Sequence, residues 1–157
     1  MALVDDLDQL IRLHDRELDG ETLAALKATE FPAGLALAPA DDLAAQAYAN
    51  AQAALVALPA VADTKVLDEL AADYAAIYLN NSFGASTYES VWLDDDHLAC
   101  QRPMFELREI YAAAGFKATD WRSRYDDHLV LQLHYLQHVL QADAVDGEKM
   151  ANFIDEH

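Results

Sequence analysis

The chain has 157 residues, is 54% apolar and carries a formal net charge of −18 from 28 acidic against 10 basic residues, so it is about the size of one domain with ample material for a core. That charge excludes free nucleic acid and anionic membrane surfaces as partners and favours a cationic one. The lone Cys100 excludes an internal disulfide framework, no apolar run approaches the roughly 20 residues that span a bilayer, and the opening MALVDDLDQL has no basic leader, which together predict a cytoplasmic protein without stable membrane insertion.

Leu3, Leu7, Leu10 and Ile11 recur at helical spacing and predict a first helix from about residue 1. Asp19 is placed to cap a second helix carrying Leu23 and Leu26 and closed by Phe31-Pro32, so residues 1–31 read as a helical hairpin. The Ala-rich run 41–57 has high helix propensity and few large side chains, and is expected to pack close to its neighbours before Leu58-Pro59 breaks it. Asp63 then caps a helix over 63–79 in which Val66, Leu70, Tyr74, Ile77 and Tyr78 repeat at three and four. Asp73 falls on that same face, where a carboxylate needs a hydrogen bond or an ion pair. NNSFGAST, residues 80–87, has turn chemistry throughout, and Tyr88 to Leu93 reads as a short aromatic extended segment ahead of three aspartates.

Pro103 in the first turn and Gly115 past the end frame a helix over 103–114. Residues 125–142 are the segment around which the rest is organised. Leu129, Leu133, Leu136 and Leu140 form one stripe expected to face a core, with His128 and Gln132 at i and i+4 on its flank. Ser123 or Asp126 is the expected cap. The positive end of the helix dipole disfavours a charged imidazole, so His128 reads as a neutral hydrogen-bonding group. Asp146 caps a last helix, 146–157, whose apolar pattern of Met150, Phe153 and Ile154 is still running at His157. With no strand alternation and no repeat, the prediction is an all-α, single-domain helical bundle over residues 1–157.

The parts of an active site do not assemble in the sequence. There is no Glu-x-x-His pair, no phosphate-binding glycine loop and no Gly-x-Ser-x-Gly elbow. His134 and His138 stand at i and i+4 in a polar stripe, and Asp94-x-x-His97 with Cys100 lies in an acidic loop without a second ligand pair. A metal-dependent helical enzyme using His97, His134 or His138 is the alternative from another class, and the reading taken is no enzyme and no metal site. More distinctive are the polar residues on two otherwise apolar faces, Asp73 on one helix and His128 with Gln132 on another, with an aromatic loop between them. They read either as a buried hydrogen-bond network or as a groove. In the groove reading, Tyr74, Tyr78, Tyr88, Trp92 and Trp121 supply apolar walls. Asp73, Glu89, Asp126 and Asp127 form an acidic edge suited to a peptide that is part apolar and part arginine-rich.

Three segments, LAADYAAIYL (70–79), TYESVWLDDDHLACQRPMFELREIYAAAGF (87–116) and YDDHLVLQLHYL (125–136), resemble the TorD/DmsD family of molybdoenzyme-specific chaperones. Its members carry an acidic-aromatic helix, a Ser-Val-Trp-Leu type loop, a Tyr-x-x-x-Gly helix end and a Pro-x-Asp-His helix start in this order, and the likeness covers about residues 63–140. The resemblance implies an all-helical cytoplasmic chaperone without enzymatic activity. Such a protein binds the apo catalytic subunit of a molybdopterin oxidoreductase through its twin-arginine signal peptide and holds it until cofactor insertion and export. The alternative within the same architecture is an assembly chaperone that binds the body of a non-exported reductase subunit.

By position, the resemblance places Tyr74, Ile77 and Tyr78 near the peptide groove, puts Thr87, Tyr88, Ser90 and Trp92 in the loop, and matches Asp127 and His128 to the Asp-His pair. Tyr125 stands where proline is usual and Gln132 where glutamate is frequent. The molybdenum cofactor belongs to the client, so none is expected here; some members bind GTP, for which this sequence holds no nucleotide loop. Family members usually continue past the equivalent of His157 with a Trp-containing segment and more helices. The resemblance therefore implies either a truncated record or helices absent or supplied by a partner, and a monomer or a domain-swapped dimer.

Overall fold

Every regular element among the described residues is helical, as expected: eight α-helices and one π-helical turn, with a single isolated β-type bridge between Tyr88 and His128. The computed structural model describes residues 2–118, 124–142 and 144–157, so Trp121 and Ser123 lie outside the described residues. The chain divides into two compact units, Met1–Leu79 and Asn80–His157. None of the described helices is long and apolar enough to cross a membrane.

In the first unit, α1 (Ala2–Asp15) and α2 (Gly20–Ala28) form the expected hairpin and supply its buried apolar residues, Leu7, Ile11, Leu23 and Leu26. Asp19 caps α2 by accepting from the Thr22 N–H at 2.7 Å. The turn after α2 closes so tightly that a Cβ on Gly34 would stand 1.8 Å from the Thr29 carbonyl oxygen. Asp6 is buried because its carboxylate accepts the Leu37 N–H at 2.8 Å, and the Leu37 carbonyl accepts from the Tyr48 hydroxyl at 2.7 Å on α3 (Asp42–Ala57). The expectation that α3 packs close to its neighbours does not hold. None of its residues is buried, and Leu43 and Val56 stay largely exposed, because alanines offer too little apolar area to hold a helix down.

The helix expected over 63–79 is regular only as α4 (Thr64–Tyr74), capped by Asp63, and then widens into a π-helical turn, Ala75–Leu79. That turn places the Tyr78 hydroxyl 2.6 Å from His14 Nδ1 and the Tyr74 and Tyr78 rings 4.6 Å apart. Asp73 is exposed, so the expected burial of its carboxylate is corrected: it lies on the solvent side of the half-buried Leu70, Tyr74 and Ile77.

The second unit contains a helical turn α5 (Ser90–Leu93) and helices α6 (Arg102–Ala113), α7 (Leu129–Leu140) and α8 (Gly147–Glu156). Residues 88–93 are thus not extended. The core is an aromatic and leucine cluster of Leu107, Tyr111, Leu131, Tyr135 and Phe153, with the Tyr135 ring 5.0 Å from Tyr111 and 4.7 Å from Phe153. Gly115, at φ 70°, ends α6 as expected, with the Phe116 and Gly115 N–H groups returning to the Tyr111 and Ala112 carbonyls. Asp146 caps α8, accepting from the Lys149 N–H at 3.0 Å.

The organising helix begins at Leu129, four residues later than expected, and its buried face is Val130, Leu131, Gln132 and Tyr135. Leu129, Leu133, Leu136 and Leu140 are only half-buried. Tyr135 carries more apolar area than any of these leucines, and seating it in the aromatic cluster sets the rotation of the helix.

Candidate functional site

The junction between the 86–90 loop and α7 shows how the polar residues of the second unit are used. His128 is the residue that caps α7, in place of Ser123 or Asp126: its Nδ1 accepts the Val130 N–H at 3.1 Å. An accepting Nδ1 puts the ring proton on Nε2, which lies 3.0 Å from the Thr87 hydroxyl oxygen and donates to it. The imidazole is therefore neutral, as the dipole argument requires. Its ring also meets Tyr88 edge to face at 4.9 Å.

Around it, the Leu129 N–H donates to the Thr87 carbonyl at 2.8 Å and the Glu89 N–H to the Asp127 carbonyl at 3.0 Å. The Asp127 carboxylate accepts the Ser90 N–H at 2.9 Å through Oδ2, while the Ser90 hydroxyl accepts the Gln101 N–H at 3.1 Å. Asp127 is wholly buried, and its Oδ1 has no hydrogen-bond partner among the described residues. Asp126 is buried as well, held by Nε and Nη2 of Arg108, both at 2.8 Å. Neither aspartate forms the expected acidic edge. The backbone turns of residues 125–128 point both inward, where they fasten the loop to α6 and α7.

Glu89 is placed differently. Only 7% of its side chain is exposed; Oε2 accepts from Gln132 Nε2 at 2.5 Å and Oε1 lies 2.9 Å from His157 Nδ1. Burial pushes its carboxyl above the ordinary range against the hydrogen bond and charge of His157, and the nearby Asp127 carboxylate pushes the same way as burial. Burial, with the carboxylates of Asp126, Glu89 and Asp127, likewise raises the Tyr111 phenol.

Glu89 and Gln132 lie in the lining of an open groove of about 410 Å³. Tyr88, Trp92, Leu93 and Leu129 give it apolar surface, Ser86 and Thr87 form one rim, and Asp155, Glu156 and His157 from the end of α8 form another. Trp92 is 59% exposed, with its indole N–H anchored on the Ser86 carbonyl at 2.9 Å, so a rigid apolar ring faces open space.

Of the residues singled out in the sequence, the groove collects Tyr88, Glu89, Trp92 and Gln132. Ser90, Asp126, Asp127 and His128 form the network that holds the loop, outside the groove lining. Asp73, Tyr74, Ile77 and Tyr78 belong to the first unit, where burial lowers the His14 pKa and raises that of Tyr78, the latter with a contribution from Tyr74. Trp121 falls outside the described residues. Sequence reasoning missed Leu93, Leu129, Arg108 and the three groove residues of the α8 end. Phe153 and His157 do stand at i and i+4, with rings 5.3 Å apart, so the helical period carried the signal for His157.

The histidines of the metal alternative bond elsewhere: His97 Nδ1 lies 2.9 Å from the Val91 carbonyl and His138 Nε2 lies 3.2 Å from that of Ala114. Among the described residues no group of three or more His, Cys, Asp or Glu side chains is placed to hold a metal ion.

No curated protein and no solved structure matches the chain. Residues 40–157, the stretch that takes in α3 to α8 and all three motif-bearing segments, match the family described as nitrate reductase delta subunit. With most of its length inside that match, the chain belongs to the nitrate reductase delta subunit family, a family of molybdoenzyme assembly chaperones of the TorD/DmsD kind.

Proposed function

We propose that this protein is a cytoplasmic, non-catalytic maturation chaperone. It holds the apo catalytic subunit of a molybdopterin oxidoreductase by the twin-arginine signal peptide until the cofactor is inserted and export follows. The observation that carries this reading is the groove of the second unit, where apolar walls flank a buried carboxylate and an acidic rim in a chain of a molybdoenzyme-chaperone family. A signal peptide presents the complementary pattern, arginines beside an apolar run: walls take the run and carboxylates take the guanidinium groups. Calorimetric titration of the purified chain with such a peptide tests it. Saturable heat with an affinity that weakens in salt is expected, and absence of binding to any twin-arginine peptide eliminates the signal-peptide reading.

The family's description, nitrate reductase delta subunit, favours a second reading in which the protein assembles on the body of a reductase subunit. Capture of a client that lacks its signal sequence separates the two. Retention of the truncated client supports body binding, and its loss together with peptide binding supports the first reading.

A further inference from the structure

The groove contains a carboxylate whose present partners are replaceable. Glu89 is held by an amide, Gln132, and an imidazole, His157, which come from different helices; neither is a lysine or arginine. Apart from His157 itself, the charges that line the groove are acidic, with Asp127 raising the pKa of Glu89 from within and Asp155 and Glu156 at the rim. A cation reaching Glu89 thus meets a negative field with little solvent to screen it.

Phe153 seats α8 in the core, the His157 side chain, 7% exposed, packs on its ring at 5.3 Å, and Ile154 is exposed. Among the described residues two openings border α8: the groove already described, and a second of about 380 Å³ bordered by Ile110, Tyr135 and Asn152. His157 lines both. Rotation of the His157 side chain toward either space would free Glu89 Oε1 while Phe153 stays packed on Tyr135. A guanidinium is the better partner for the freed oxygen, since it is always charged and presents five donors in a planar fork where the imidazole offers one.

We infer that Glu89 receives an arginine of the bound client segment, and that His157 is the gate that leaves Glu89 when the arginine arrives. This rests on the proposed binding of an arginine-bearing segment in the groove. Gln132 keeps its bond to Oε2 throughout, so the exchange occurs at one oxygen.

Two synthetic peptides of one apolar sequence, one carrying paired arginines and the other paired citrullines, titrated into the full chain and its variants, provide the test. The wild type is expected to prefer the arginine peptide by roughly 10- to 100-fold. Glu89→Gln, which keeps hydrogen bonds to Gln132 and His157 but not the charge, is expected to remove the preference while still binding the citrulline peptide. His157→Ala is expected to tighten arginine-peptide binding several-fold and gives a separate readout should the Gln variant fail to fold. An undiminished arginine preference in Glu89→Gln, or weaker arginine-peptide binding in His157→Ala, overturns the inference. Equal binding of both peptides by the wild type overturns it while leaving the groove as a peptide site, whereas no binding of either peptide removes the underlying function as well.

Discussion

At the scale of single residues, position 127 separates a structural role from a binding one. Asp127→Ala deprives the buried Ser90 N–H of its acceptor and is expected to cost about 1–3 kcal/mol, read as a lower denaturant midpoint. Asp127→Asn retains an oxygen for Ser90 and removes a buried charge, so its midpoint is expected to lie close to wild type. His128→Ala loses both the α7 cap and the Thr87 contact, and a cost of about 1–3 kcal/mol in stability is expected there too. Glu89 behaves in the opposite sense. Its folded-state pKa is raised above the ordinary 4.5, so the folded protein holds this proton more tightly than the unfolded chain. The stabilisation is complete below 4.5 and is lost as pH rises through the folded-state value. Relative to Glu89→Gln, the wild type is therefore expected to lose melting temperature as pH rises above 4.5, and the variant to melt no lower than wild type at neutral pH. A wild type that gains on the variant as pH rises would show that His157 outweighs burial at this site. The neutrality of His128 was legible from its place at a helix start, whereas its capping role was not, because Asp126 and Asp127 are better capping residues by type.

At the scale of elements, caps and breakers carried most of the information. Asp19, Asp63 and Asp146 each accept a backbone N–H three residues on, and Gly115 ends α6, all from local chemistry visible in the chain. The widening at Ala75–Leu79 was hidden because AAIYL satisfies α and π spacing alike over one turn. The turn between α2 and α3 is the least forgiving connection. Gly34→Ala drives a methyl against the Thr29 carbonyl, which is backbone and cannot swing away, so a loss of about 1–3 kcal/mol is expected in chemical denaturation. A variant as stable as wild type would mean the turn can relax.

At the scale of the whole molecule, a net charge of −18 acts on encounter as well as on affinity. Binding of an arginine-bearing peptide is expected to weaken several-fold between about 50 and 500 mM salt, mainly through a slower association rate, because the Debye length shrinks below the distance over which the surface charges act in concert. The apolar walls of Trp92, Leu93 and Leu129 are insensitive to that change and are expected to leave a salt-resistant residual affinity. Stopped-flow rates across the salt series check this, and a dissociation rate that carries the whole effect would count against steering.

The sequence by itself determined the all-α class, most helix ends, the acidity and the aromatic loop, because helical period, capping and charge are read from neighbours within a few positions. Only the tertiary structure decided which carboxylates face what: Asp73 points to solvent, Asp126 and Asp127 turn inward as fasteners, and Glu89 meets His157 across 68 positions of chain. Burial and partner choice depend on which helix faces meet, and that is settled by how well large side chains such as Tyr135 and Phe153 fill shared space, a property no single stretch of sequence contains.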